Sequence, residues 1–411
     1  MRNLVFFLLC MMVLVMPWEA MSGVGGFGTV VRLIGYVALG AAAFAVVITL
    51  SFRRLPAVFY VLALIVAWCA FSGFWSVTPQ MSLARTITKG SLLLFFWMIW
   101  EFSPSVKHQI WMMRAYLLGC VLPLSMIFFS FLSGYTSPDA MHTRYTGGRM
   151  DPNEMSIILV VGMPIALFLA TAPPLRSKIL RALSWAYLPA AAVGTFLTGS
   201  RTGAIALVAV GGMLIILSQR GHKYAKLMLI PLTACAIFLI AAIVPSVLLE
   251  RTSEVLDRDT VMNSTRVRIW VRATEAFIEN PLIGTGGGSF QEINRAHGGP
   301  GRAPHSLLFS VMVEYGSVGV VLWGGVLVVI IHNVWSMGKI GMRSTCIAML
   351  VAWGIGSLTL GTDCLKITWW TLAMVALQAQ SMRAFARSAL RPGLPVAPGL
   401  QPLPLRGNPS M

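Results

Sequence analysis

The sequence predicts an all-α protein that crosses a membrane about twelve times and carries one large loop on its outward side. Three observations predict it. Hydrophobic residues make up 57% of the 411 and charged residues only 11%, where a soluble domain carries about 25% charged residues. The mean hydropathy is +0.77. Apolar runs close to the ~20 residues that cross about 30 Å of hydrocarbon recur along almost the whole chain, separated by short polar hinges.

Spans are expected at about 3–17, 29–50, 57–75, 87–102, 109–132, 155–172, 180–197, 202–218, 227–248, 306–333, 345–361 and 367–381. The chain thus divides into nine spans over 1–248, a loop over 249–304, three spans over 305–382 and a tail over 383–411. The tail is proline-rich from about 391 and reads as disordered. The first segment, Met1-Arg2-Asn3 followed by FFLLCMMVLVM, has the single basic residue and apolar core of a signal peptide. Read as an uncleaved anchor, it leaves the topology unchanged.

A net charge of +17 points to nucleic acid only if the positions of the basic residues are ignored. They cluster in alternate hinges: Arg53-Arg54, Lys107, Arg176-Lys178-Arg181, Arg220-Lys223-Lys226, Lys339-Arg343 and the tail. That alternation is the positive-inside pattern and puts both termini in the cytoplasm. Of six cysteines, five lie in expected spans and only Cys364 falls in an outward hinge, so neither a disulfide framework nor a thiolate metal site is expected.

Against the inward bias, the outward hinges hold Arg85, Arg144, Arg149, Arg201 and Lys366, and the loop holds seven arginines. Each needs an anionic partner or plain solvation. Within the loop, Ser264 or Thr265 can cap a helix that runs through TRVRIWVRATEAFIE and ends at Asn280-Pro281. At ~100° per residue, Arg268, Arg272, Glu275 and Glu279 share one face and Trp270, Ala273 and Phe277 the opposite one. Arg266 falls on the apolar face. It either snorkels to the membrane surface or aims at an anion such as phosphate, for which guanidinium geometry is suited.

Gly284-Thr-Gly-Gly-Gly-Ser-Phe290 lacks the preceding strand or Gly-Lys-Ser/Thr ending of a nucleotide loop, and reads as a tight turn with close backbone approach. Asp257-Arg-Asp259 has a metal-binding spelling, but the intervening arginine opposes it. His305 stands where the chain re-enters the membrane, either as a base for a hydroxyl or as a polar anchor. Glu314, inside the following span, is a functional candidate by position. Nine residues of helix, ~13 Å, separate it from His305 and exclude a dyad. Arg201 sits in the short hinge Leu197-Thr-Gly-Ser-Arg-Thr-Gly203, flanked by glycines that permit close approach of a head group.

Six segments, in order, carry a resemblance: Phe74-Trp-Ser-Val-Thr-Pro79, Arg149-Met-Asp-Pro-Asn-Glu154, Thr198-Gly-Ser-Arg-Thr-Gly203, Arg266 four before Trp270, Pro281-Leu-Ile-Gly-Thr-Gly286 and Pro304-His-Ser306. Together they resemble the O-antigen ligase and polymerase superfamily. The resemblance implies a GT-C-like, metal-independent glycosyltransferase of the bacterial inner membrane. It implies a glycan donor on undecaprenyl diphosphate, an acceptor that is a saccharide or lipid A core, and no cofactor. Matched by motif, Arg201 and Arg266 look like diphosphate-binding arginines and His305 like the group that activates the acceptor hydroxyl. Arg149, Lys366, Arg268, Trp270 and Glu314 are further candidate substrate contacts. Family members often read His-Asn where this chain has His305-Ser306.

The rival class is a lipid-linked oligosaccharide flippase. It predicts charges in mid-membrane, whereas the expected spans place only Glu314 clearly inside, and no pair of matched half-repeats with interrupted helices is visible.

Overall fold

The computed structural model describes residues 1–23, 28–135, 144–146, 150–171, 177–217, 230, 234, 265–299, 301–338 and 341–389. Its helices are α1 (Arg2–Val15), α2 (Val30–Thr49), α3 (Ala57–Phe71), α4 (Pro79–Phe102), α5 (Val106–Leu132), α6 (Pro152–Thr171), α7 (Lys178–Leu197), α8 (Arg201–Leu217), α9 (Thr265–Glu279), α10 (Phe290–Ala296), α11 (Leu307–Trp335), α12 (Gly341–Ser357) and α13 (Lys366–Ala389). Among the described residues, seven helices are long and apolar enough to cross a membrane. The protein is an all-helical, polytopic membrane bundle. Eleven of the expected spans coincide with described helices, and the ninth, 227–248, lies outside the described residues apart from isolated positions. Helix α13 continues beyond 382 to Ala389, into the segment expected as tail.

Helix α6 is the centre. In its membrane-spanning window 83% of residues are buried, against 22% in α2 at the edge, and α5, α7, α8 and α12 surround it. Small residues let these helices approach: a Cβ on Gly203 of α8 would overlap Ser156 of α6, and one on Gly356 of α12 would press on Ile157.

One expectation is corrected here, because the spans hold more charge than Glu314. Glu101, fully buried near the end of α4, accepts from Arg2 at 2.8 Å and from the backbone N–H of Arg53 at 2.8 Å. The Arg53 guanidinium reaches on to Gln380 of α13 at 2.6 Å. Four segments are thereby tied at one end of the bundle. A buried carboxylate is tolerated there because cationic and backbone donors replace its water.

Helix α11 is broken. Gly316 has φ 64° and ψ −162°, a combination that is essentially glycine-only. The interruption frees two carbonyls and two N–H groups, which cannot stay unpaired inside an apolar bundle. The Pro281–Gly286 segment takes all four. The N–H groups of Thr285 and Gly286 donate to Val313 and Glu314 at 2.8 and 3.0 Å, and those of Ser317 and Val318 donate to Pro281 and Leu282 at 2.8 and 3.3 Å. The glycine-rich segment is therefore a backbone splint. Gly286, at φ 97°, lies so close to Ser76 that a side chain would overlap it.

Replacing Gly316 with Ala should lower the thermal unfolding midpoint of the solubilised protein markedly. The backbone term alone is about 1–3 kcal/mol, and the new Cβ would overlap the Leu282 carbonyl. Gly324→Ala, on the same helix with open space around it, is the control and should leave the midpoint essentially unchanged.

Candidate functional site

The splint holds a small layer of helices over the mouth of α11. On α9, Ile269, Ala273 and Ala276 are buried against Phe290 of α10 and Val313 of α11. Trp270 stacks on Phe309 with centroids 5.2 Å apart, and its indole N–H donates to the Pro304 carbonyl at 2.9 Å. That bond fixes the residue preceding His305. His305 itself is half-buried with φ 50°, an uncommon value for a residue with a side chain. Ser306 then begins α11 in extended conformation, without a side-chain cap.

Arg266 continues the buried stripe of α9 by one turn past Ile269, as the helical wheel expects, but it emerges from the packed layer. It is exposed, and its charge acts on His305. The wheel orients the residue correctly; the apolar layer ends too soon to bury it.

Two hinges of the bundle meet here. Asp151-Pro152 starts α6, with the Asp151 carboxylate accepting from the N–H groups of Asn153 and Glu154 at 2.8 and 3.1 Å, as a helix-capping aspartate followed by proline does. Ser200 caps α8 by accepting from Gly203 N–H at 3.1 Å, and donates to Asn153 at 3.0 Å. This joins the starts of α6 and α8 and sets Arg201, exposed, beside them. The Arg144 side chain packs over Gly199, whose φ is 62°.

Burial pushes the His305 pKa below its ordinary value, and the charges of Arg266 and Arg302 act in the same direction. The Asp151 carboxylate opposes them. These influences together favour the neutral imidazole, the form with a free nitrogen lone pair that can accept a proton.

His305 and Arg266 are brought together, and Arg201 is linked to them through Ser200, Asn153 and Asp151. Arg268 is exposed on the outer face of α9. Trp270 is engaged with Pro304 and Phe309. Lys366 is ion-paired with Glu19, near Glu154. Arg149, Asp257 and Asp259 lie outside the described residues. Among the described residues no three carboxylate, imidazole or thiol groups converge as metal ligands. Asp151 was not singled out by the sequence reading, although it stands inside one of the quoted motifs. Its Asp-Pro spelling signals a helix start, and nothing local to it signals proximity to His305.

Residues 186–324 match the family model described as O-Antigen ligase. That match supports membership of the O-antigen ligase superfamily. The matched stretch contains Arg201, Arg266, Trp270, the glycine splint, His305 and Glu314. No curated protein matches the chain.

A second charged group lies below the site. Lys89 of α4 is fully buried, 2.7 Å from the Asp363 carboxylate, and donates to the Tyr315 hydroxyl at 3.0 Å. Arg85 donates to the Cys364 thiol at 3.3 Å, and its charge faces Glu314, which also accepts from the Gly288 N–H. Glu314 thus meets both a cation and a backbone donor of the splint. Lys89, inside an expected span, is a further correction to the sequence reading. The group carries two cations and two carboxylates, so it is formally neutral. It ties α4, the broken part of α11 and the α12–α13 hinge together.

Lys89→Met should destabilise the protein by about 3–5 kcal/mol, since it strands a buried carboxylate, whereas Lys89→Met with Asp363→Leu should recover most of the loss. Chemical or thermal unfolding of the two purified variants checks this.

Proposed function

We propose that the protein is a glycosyltransferase that moves a glycan from undecaprenyl diphosphate to a hydroxyl of an acceptor sugar, on lipid A core or on a growing polysaccharide. The protein sits in the bacterial inner membrane with both termini cytoplasmic and His305 toward the periplasm, a placement supported by the basic residues of alternate hinges. The carrying observation is His305, half-buried at the mouth of α11 with the charge of the exposed Arg266 acting on it. The family match supports a ligase- or polymerase-type reaction.

In this mechanism the His305 imidazole accepts the proton of the acceptor hydroxyl as its oxygen attacks the anomeric carbon. The bond from that carbon to the diphosphate oxygen breaks, and the diphosphate leaves with its charge neutralised by Arg266 and Arg201. Direct, in-line displacement inverts the anomeric centre. Diphosphate is already a good leaving group, and two guanidinium groups match its charge, so no metal is required by this route. Trp270 serves by fixing the strand that carries His305, while Arg149, Arg268 and Lys366 are second-rank contacts to phosphate or sugar. Glu314 acts from below, through the splint.

The flippase reading draws support from the buried charges of α4 and α11. Those charges are paired with one another and Lys89 is inaccessible, which suits a static tie better than a transport path.

With a lipid-diphosphate glycan and candidate acceptors supplied to the purified protein, His305→Ala should reduce product formation by about 10²–10⁴-fold. Arg266→Ala and Arg201→Ala should each reduce it by about 10²–10³-fold. Full activity in folded His305→Ala and Arg266→Ala proteins would sink the assignment, and loss of wild-type activity on chelation would redirect attention to Asp257 and Asp259.

The pH profile gives an independent test. A base must be unprotonated, so activity should fall as pH drops through the His305 pKa, below the ordinary imidazole value. Arg266→Gln removes a charge that lowers this pKa, so the acidic limb of its residual activity should move to higher pH. Asp151→Asn removes a charge that raises it and retains a capping side chain, so its limb should move to lower pH.

A further inference from the structure

A cleft of about 640 Å³ opens between α1, α5, α6 and α7, within the range of roughly 300–1,000 Å³ typical of ligand sites. It lies toward the end of the bundle away from His305, where Arg181 of α7 donates to the Ala170 carbonyl near the end of α6 at 2.9 Å. Its rim is open to the surroundings of the bundle, with Phe7, Trp111, Leu118 and Leu183 about half exposed. The walls are apolar, and two of their polar groups are spent within the protein: Ser184 donates to Leu180 and Tyr187 to Leu159.

Arg114 is the single charged residue lining this cleft. Its guanidinium rests 4.8 Å from the Trp111 ring centroid, and its Nε is buried with no hydrogen-bond partner. Lys107, Trp111 and Arg114 repeat at i, i+4 and i+7 on α5, one stripe along the helix. Arg114 stands ~10 Å inward of Lys107. An arginine at that depth facing an apolar wall is costly without a counter-charge. The guanidinium fork fits phosphate, and basic pockets between spanning helices hold anionic lipid head groups.

We infer that this cleft holds one anionic glycerophospholipid of the bilayer, with its phosphate on Arg114 and an acyl chain along Phe6, Leu118 and Leu183. The inference depends on the membrane bundle and is independent of the reaction at His305. Charge complementarity selects the occupant: a zwitterionic lipid offers the same chains but adds a cation beside Arg114.

The full chain, purified in detergent and given equal amounts of phosphatidylglycerol and phosphatidylcholine with identical acyl chains, should retain one phosphatidylglycerol in native mass spectra. The preference should be about tenfold, and Arg114→Gln should abolish it. Ser125→Trp, which fills the cleft and leaves Arg114 in place, should reduce retention of the lipid. Equal retention of the two lipids by the wild-type protein would overturn the inference without recourse to any variant. Unchanged retention in Arg114→Gln, or displacement of phosphatidylglycerol by equimolar undecaprenyl diphosphate, would overturn it as well.

Discussion

Backbone polar groups exposed by a break inside an apolar bundle must be paired, and that constraint at Gly316 organises the outer half of this protein. Four main-chain groups of α11 are taken up by Pro281–Gly286. Through them the chain leaving α9 is anchored to the helix that follows His305. The pairing supplies what a long polar loop on a membrane protein otherwise lacks, a rigid attachment to the bundle. The glycines of 284–288 allow two backbones to lie closer than side chains permit.

Charge is arranged in two tiers around that attachment. Above it, Arg266, Arg201 and Arg302 are exposed, and the charges of Arg266, Arg302 and Asp151 act on His305. Below it, Lys89, Arg85, Asp363 and Glu314 neutralise one another, all of them buried except the half-buried Arg85. The lower tier spends its charge on holding α4, α11 and the α12–α13 hinge in register. A cation left unmatched in the exposed upper tier is solvated, whereas one left unmatched below would be a large penalty. The same distinction separates Arg114, whose Nε has no hydrogen-bond partner among the described residues, from Arg53, whose partners are Glu101 and Gln380.

Much of the site was readable in one dimension because its signals are local. The apolar stripe of α9 orients Arg266, the proline before His305 marks the re-entry into the membrane, and Asp151-Pro152 spells a helix start. Glu314 was singled out for its charge, yet its partners, Arg85 and the Gly288 N–H, come from distant segments that no spacing rule connects. Asp151 escaped notice for the same reason, since its influence on His305 runs between residues more than 150 positions apart.

Composition and hydropathy by themselves determined the class of the protein, the placement of most of its helices and the helical face from which Arg266 projects, because these follow from transfer of apolar runs out of water and from the 3.6-residue period. Only the tertiary structure decided that the outer loop is splinted into a broken helix, that Asp151 and Arg266 share one histidine, and that Lys89 is a structural ion rather than a surface one. Those are pairings across distant segments, set by which helices pack together, and a linear pattern of residue types does not encode them.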